Sequence, residues 1–220
     1  MTMRRYRRPS GSRARTGAWQ GDGVTTRRRT FTRAELESFR DATVPDLIGP
    51  DLRLLFVGIN PGLWTAATQT HFAHPVNRFY PALYAAGIIT RAIDPAAGMS
   101  DDDRAHLVGR GVGISNVVHR ATARADELSK AELVEGGLRL QELVRRERPR
   151  VVAIAGITAY RSAFGRPRSA TGLQPHDDVW GDAEVWVVPN PSGLNAHETV
   201  ASLAAAYAEP ARAAGVLSEA

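Results

Sequence analysis

The chain has 220 residues, which suits one domain with a tail, and 43% of them are hydrophobic, enough to bury a core. It contains no cysteine, which excludes disulfides, thiolate nucleophiles, cysteine-ligated zinc and iron–sulfur clusters. No apolar run approaches the ~20 residues of a membrane-spanning helix, and the arginine-rich N-terminus lacks the apolar segment of a secretory signal. We therefore expect a cytoplasmic protein without a membrane partner.

Positive charge is concentrated at the N-terminus. The net charge is +5, but residues 1–33 alone carry ten arginines and one acid, Asp22, so the other 187 residues sum to −4. Because this segment has few large apolar residues, burial cannot offset its ordering entropy. We predict that residues 1–32 form a disordered tail and that residues 33–220 form the domain. The tail either contacts nucleic-acid phosphates nonspecifically or has no specific role.

Helices and buried strands alternate along the predicted domain. Thr32 is placed to cap a first helix over about 33–42. Short apolar runs bounded by Gly or Pro predict strands at 54–57, 151–155 and 184–188. Capping residues and apolar periodicity predict helices at 77–86, 129–148, 158–164 and 198–214. This alternation predicts an α/β protein, a three-layer α/β/α sandwich around a mainly parallel sheet.

Two loops that follow predicted strands are dense in Gly, Pro and Asn. We name residues 58–62 the first loop and residues 189–195 the second loop. In open parallel sheets, ligands bind beyond the carboxyl ends of the strands. Both loops are therefore candidates for a binding cleft.

The first loop is built to present an asparagine. Gly58 and Gly62 permit a close backbone approach, and Pro61 restrains Asn60 to an extended conformation. An asparagine offers one acceptor and one donor group, so Asn60 can position a water without being a strong base. That suits a reaction whose leaving group departs readily. The alternative is a structural turn in which Asn60 caps the next helix.

Aromatic and histidine residues follow the first loop closely. Phe72 can stack on a planar ligand; alternatively, Phe72 and Phe79 are both core residues. His71 and His74 stand three positions apart, but no carboxylate lies at ligand spacing nearby. We therefore predict neither a metal nor another cofactor.

The second loop carries a large apolar residue, Leu194, between Gly193 and Asn195. We expect Leu194 to be exposed, and exposed apolar residues on polar loops can act as wedges that unstack a duplex. In the alternative, Leu194 folds back as a staple against the last helix.

Together these segments resemble the mismatch-specific uracil/thymine DNA glycosylases of the uracil-DNA glycosylase superfamily. The resemblance covers roughly residues 52–210, in the same order and with similar spacing. The matching segments are residues 58–63, 72–75, 77–79, 113–118, 127–130 and 190–194.

The resemblance implies an enzyme that flips a nucleotide out of double-stranded DNA at a G·U or related mismatch and hydrolyses its N-glycosidic bond. The base would be uracil, thymine or another damaged base, and the enzyme would be a cytoplasmic, nucleoid-associated monomer. Asn60 would position the attacking water. The implied base-binding residues are Ile59 (through its backbone), Phe72 (by stacking), Asn116 and Asn190; those contacting the duplex are Ser192, Gly193 and Leu194.

Two positions depart from the family pattern. Asn195-Ala196 replaces a common Ser-Arg, so an arginine contact to the duplex is either missing or supplied by His197. Asn116 stands where some members have lysine, which changes the polarity of the pocket.

Lys130, the only lysine, falls in the first turn of a predicted helix. With no catalytic amine, we predict a monofunctional enzyme that leaves an abasic site.

Other functions stay open at this point. In another branch of the superfamily an aspartate would activate the water, and here Asp94 or the run 101–103 could serve, although that run also suits the start of a helix. A noncatalytic nucleic-acid-binding module with an Arg-rich tail is a second alternative. A nucleotide-phosphate enzyme would need a Gly-rich loop with Lys-Ser/Thr, which this sequence lacks.

Overall fold

The computed structural model describes residues 30–218. The predicted tail lies almost wholly outside this range, so its disorder stays a prediction. The strands are β1 (Leu54–Gly58), β2 (Val112–Asn116), β3 (Val151–Ala155), β4 (Gly172–Leu173) and β5 (Glu184–Val188). The helices are α1 (Arg33–Glu37), α2 (Leu63–Thr68), α3 (Phe79–Ala85), α4 (Asp101–Gly109), α5 (Lys130–Glu147), α6 (Ile157–Ala163) and α7 (Val200–Ala213).

The five strands form one sheet in the order β2-β1-β3-β5-β4. β1 pairs in parallel with β2 and β3, β3 pairs in parallel with β5, and the two-residue β4 runs antiparallel to β5. The carboxyl ends of β1, β2, β3 and β5 therefore share one edge, which we name the carboxyl edge. Both loops singled out from the sequence begin there.

Two apolar layers cover the sheet. On one face Phe56 packs against Phe79 of α3 and Tyr207 of α7, with ring centroids 5.2 and 5.3 Å apart. On the other face Val57 and its neighbours pack with Leu140 of α5. Each fully buried side chain of this size contributes about 1.5–3 kcal/mol relative to exposure. The predicted α/β/α sandwich with its mainly parallel sheet is confirmed.

Local capping explains where several helices begin. Thr32 and Glu35 form a capping box at α1, as Ser129 and Glu132 do at α5. α3 begins two residues later than predicted because the amide of Phe79 donates to the side chain of Asn77, which puts the helix's proline in its first turn.

The sequence patterns missed some elements and overextended one. β2 was not predicted, because Gly113, Ser115 and Asn116 interrupt its apolar pattern. α1 ends at Glu37 instead of near residue 42. The chain turns away at Asp41, which has φ +64° and whose amide donates to the Ala121 carbonyl at 2.9 Å.

Candidate active site

The first loop continues the pairing between β1 and the segment after β2. Val117 and Val118 donate backbone hydrogen bonds to the carbonyls of Gly58 and Ile59, each at 2.9 Å. The amide of Thr122 donates to the carbonyl of Pro61 at 3.1 Å. The first loop is therefore held along its length by a neighbouring strand extension.

The side chain of Asn60 has one fixed orientation. Its Nδ2 lies 2.7 Å from the Thr122 hydroxyl oxygen, 3.0 Å from the Arg120 carbonyl and 3.2 Å from the Pro61 carbonyl. The Thr122 hydroxyl itself donates to the Arg124 carbonyl at 2.7 Å, so it must accept from Asn60. No residue within 30–218 donates a hydrogen bond to Asn60 Oδ1. That oxygen is left as an acceptor for a ligand.

An ion-pair network anchors the backbone that receives the Asn60 amide. The Arg120 guanidinium pairs with Asp41 and Glu132, each at 2.8 Å. The hydrogen bond from Arg120, together with those from Ser129, lowers the pKa of Glu132 to about 2. The residue that supports Asn60 is thereby tied to the start of α5.

Gly58 lets two side chains converge at the end of β1. A Cβ atom at Gly58 would lie 2.5 Å from Asn116 Oδ1, closer than a real side chain permits, and 3.2 Å from Phe72 Cζ, which is tighter than most Cβ contacts. The Phe72 ring stacks on Phe79 with centroids 4.1 Å apart. Phe79 is fully buried, but Phe72 is only partly buried, and its φ of +55° is strained for an aromatic residue. Of the two, only Phe79 is a full core residue.

His71 orients Asn116. It is buried, its Nε2 lies 2.9 Å from the Pro45 carbonyl, and its Nδ1 lies 3.0 Å from Asn116 Nδ2. Burial lowers the pKa of His71, so a neutral ring that donates through Nε2 and accepts through Nδ1 satisfies both contacts. Asn116 Oδ1 is then the atom beside Gly58.

The two loops meet around the end of β3. A Cβ atom at Gly156 would lie 3.6 Å from both Asn190 Nδ2 and Ile59 Cδ1. Asn190 Oδ1 accepts from the amide of Ser192 at 3.0 Å, which leaves its Nδ2 as a donor beside the first loop. Asn190 of the second loop and Ile59 of the first loop thus lie beside the same glycine at the end of β3.

Leu194 projects into solvent from the second loop. It is 92% exposed, so the alternative in which it folds back as a staple is wrong. The Ser192 hydroxyl accepts from the Leu194 amide at 3.2 Å, and the Asn195 side chain donates to the Asn190 carbonyl at 3.1 Å. Polar side chains of the loop thus shape its backbone and leave the leucine outside.

The acidic residues considered as alternatives cap helical segments. Asp94 accepts from the amide of Ala96 at 3.1 Å, and Ser100 and Asp103 form the capping box of α4. Lys130 is the exposed first residue of α5. The place of each of these side chains at the start of a helical segment accounts for it, and within residues 30–218 none of their hydrogen bonds or ion pairs involves the first loop.

The molecule is an α/β protein in which Asn60, Asn116 and Asn190 lie at the carboxyl edge of the sheet and the loop after β5 carries an exposed leucine. The family model described as the uracil DNA glycosylase superfamily matches residues 45–210. Because this match covers well over half of the sequence, the chain belongs to the uracil DNA glycosylase superfamily. Membership supports a uracil DNA glycosylase-type function, a hydrolase that acts on DNA.

Among solved structures, the chain is similar to a candidate uracil DNA glycosylase from Methanosarcina acetivorans determined by solution NMR. The two share 16% sequence identity with a TM-score of 0.49, and the match covers 76% of this chain and 98% of the other. Within residues 30–218, no helix has the length and apolar character needed to cross a bilayer.

Proposed function

We propose that this protein is a monofunctional glycosylase of the mismatch-specific type, which hydrolyses the N-glycosidic bond of uracil, or of thymine, flipped from a G·U or G·T pair. The observation that carries the proposal is the fixed amide of Asn60. Its donors are taken by Thr122 and two carbonyls, so Oδ1 is held ready to accept a hydrogen bond from a water.

Asn60 positions that water against the sugar. The water oxygen attacks C1′, the bond from C1′ to the base nitrogen breaks, and the base leaves with the bonding electron pair. The extra proton of the water passes to solvent. Because an amide is not a strong base, the rate depends on how well the site stabilises the departing anion.

Neighbouring groups support recognition of the base. Asn190 Nδ2 supplies a fixed donor for the negative charge that develops on the leaving base. The side chain of Ile59 lies beside the same glycine as Asn190 Nδ2, which brings the Ile59 residue and its backbone next to this donor. Asn116 presents an acceptor beside Gly58, and the partly buried ring of Phe72 is available for stacking.

Leu194 supports extrusion of the nucleotide. Its exposed side chain fills the space that the flipped nucleotide leaves in the stack, together with the backbone of Ser192 and Gly193. Flipping costs a few kcal/mol, and least where pairing is weak, so a mismatch provides selectivity by itself.

The first test is base release from duplexes that carry one G·U, G·T or A·U pair, detected as alkali-labile sites. We expect cleavage only after alkali and no covalent complex on borohydride trapping, because the only lysine within residues 30–218, Lys130, is the exposed first residue of α5. Release from G·U should exceed release from A·U. Equal rates on both would contradict mismatch selectivity, and strand breaks without alkali would contradict a monofunctional enzyme.

The second test is Asn60→Ala. Losing a single preorganised polar group of this kind costs roughly 10²–10³-fold in rate. The variant should release the base that much more slowly while it still binds a duplex with an abasic-site analogue. Full activity of Asn60→Ala would remove the proposed role of this residue.

A further inference from the structure

One arginine joins the two sides of the candidate site. The backbone amide of Arg78 donates to the Pro191 carbonyl at 3.0 Å. Its guanidinium donates to the carbonyls of Ser192 and Asn195, each at 2.9 Å, and to that of Glu198. These carbonyls lie on both sides of Leu194. Arg78 itself ends the segment 71–78 that carries Phe72.

The loop around Leu194 has no helix or strand of its own to hold it. It lies between the end of β5 and the start of α7, and the bonds within it are short-range contacts of Ser192 and Asn195. The guanidinium of Arg78 is partly buried and satisfies three carbonyls at once. Without it the Glu198 carbonyl would lose its hydrogen-bond donor, and the carbonyls of Ser192 and Asn195 would each keep only a backbone amide, at 3.0 and 3.4 Å respectively.

Close packing joins the same two segments a second time. A Cβ atom at Gly193 would lie 2.4 Å from Val76 Cγ2 and 2.8 Å from the Val76 carbonyl oxygen. Val76 is itself 58% exposed, so it extends the apolar surface beside Leu194. The segments 71–78 and 190–198 therefore form one unit, with a stacking ring at one end and an exposed leucine at the other.

We propose that Arg78 is a positioning residue that preorganises the Leu194 loop, so that the leucine enters a duplex without first paying to order its backbone. This inference rests on the proposed function for the role of Leu194. Binding is weakened whenever a loop must be ordered at the moment of contact. The rigid connection to Phe72 also keeps the stacking ring and the wedge at a fixed separation.

The test compares Arg78→Met with Arg110→Met. Arg110 is a matched control because it is also partly buried and also donates to three carbonyls, those of Gly87, Ile88 and Val216. It differs in position, since it precedes β2 and therefore lies at the amino ends of the parallel strands, opposite the carboxyl edge. Both variants lose the same kind of interaction, so their difference reports the place where it acts.

Two readouts are needed. Hydrogen exchange on the free full-length protein should be at least about tenfold faster at the amides of 192–198 in Arg78→Met, and unchanged there in Arg110→Met. Affinity for a duplex with an abasic-site analogue and single-turnover release from a G·U duplex should each fall roughly fivefold in Arg78→Met relative to Arg110→Met. Arg78→Lys should fall in between, since an ammonium lacks the planar fork that reaches several carbonyls.

Failure of this inference can be separated from failure of the proposed function. If exchange at 192–198 is unchanged in Arg78→Met, or if this variant matches Arg110→Met in duplex affinity and release, Arg78 does not preorganise the loop. If the wild-type protein releases no base from any duplex, the proposed function fails, whatever the exchange data show.

Discussion

The first and second loops leave the same edge of the sheet but are held in different ways. Backbone pairing with residues 117–122 supports the first loop, and the side chain of Asn60, which we propose orients the water, is fixed by oxygens from that segment. Within residues 30–218, the second loop receives only one backbone hydrogen bond from a distant segment, from the amide of Arg78 to Pro191, and the guanidinium of that arginine supports the rest of it. The side chain of Leu194, which we propose enters the duplex, is almost fully exposed.

The two proposed roles, orienting a water and entering a duplex, require different kinds of support. A group that orients a water must have one geometry, which a paired backbone provides. A side chain that enters a duplex must start out in solvent, so only the backbone beneath it can be fixed. Changes at the first loop should therefore impair the chemical step, and changes at the second loop should impair engagement of the duplex.

Among changes that leave the proposed functional side chains themselves intact, the largest expected effect comes from Gly58→Ala. The added methyl would displace Asn116 or Phe72, and a displacement of about 1 Å near reacting groups can cost ~10²-fold in rate. Gly62→Ala is the matched control, because no atom lies within 4 Å of a Cβ there. Single-turnover base release should fall about 10²-fold in the first variant only. A similar loss in both would mean that general disturbance of the loop, not crowding, is responsible.

Thr122→Val tests the orientation of Asn60. Valine keeps the shape but cannot accept the Asn60 proton, and losing a buried hydrogen-bond partner costs about 1–3 kcal/mol. We expect release to slow roughly 30-fold with binding of an abasic-analogue duplex unchanged. Thr122→Ser keeps the hydroxyl and should stay close to wild type. Equal rates for the valine and serine variants would show that the hydroxyl does not orient the amide.

Leu194→Ala addresses the second loop. We expect a loss of about tenfold in both duplex affinity and single-turnover release. This corresponds to about 1.4 kcal/mol, somewhat more than half of what full burial of the three lost carbon groups would contribute at ~0.8 kcal/mol each. Leu138→Ala, at a 59% exposed position on α5, should change neither. A loss of release with no loss of affinity would place Leu194 in the chemical step and overturn the division between the loops.

The smallest expected effect is a pH dependence of stability at His71. Burial lowers the pKa of His71 in the folded protein, so below about pH 6.5 the unfolded chain binds a proton that the folded one does not. The free energy of unfolding should therefore fall as the pH drops below 6.5, by at most about 1.4 kcal/mol per pH unit for this group. The free energy of unfolding, measured with urea at pH 7.5, 6.5 and 5.5, should change less steeply with pH in His71→Phe than in the wild type. The same pH dependence in both proteins would contradict the prediction.

The local sequence determined much of the molecule. Apolar runs ended by Gly or Pro predicted β1, β3 and β5, and the capping pair of Ser129 and Glu132 predicted the start of α5. These features depend on neighbours within a few positions, so a single sequence reveals them. The order of glycine, proline and asparagine likewise marked both loops, and the exposure of Leu194 followed from its polar surroundings.

Tertiary structure alone decided how the site is held together. Asn60 meets Thr122 across 62 positions, and Arg78 meets Ser192 across 114. No local pattern reveals either partner, because a hydrogen bond between residues so far apart in the sequence depends on how the fold brings their segments together. β2 remained hidden for a related reason: its small and polar residues are buried by its neighbours and not by an apolar run of its own.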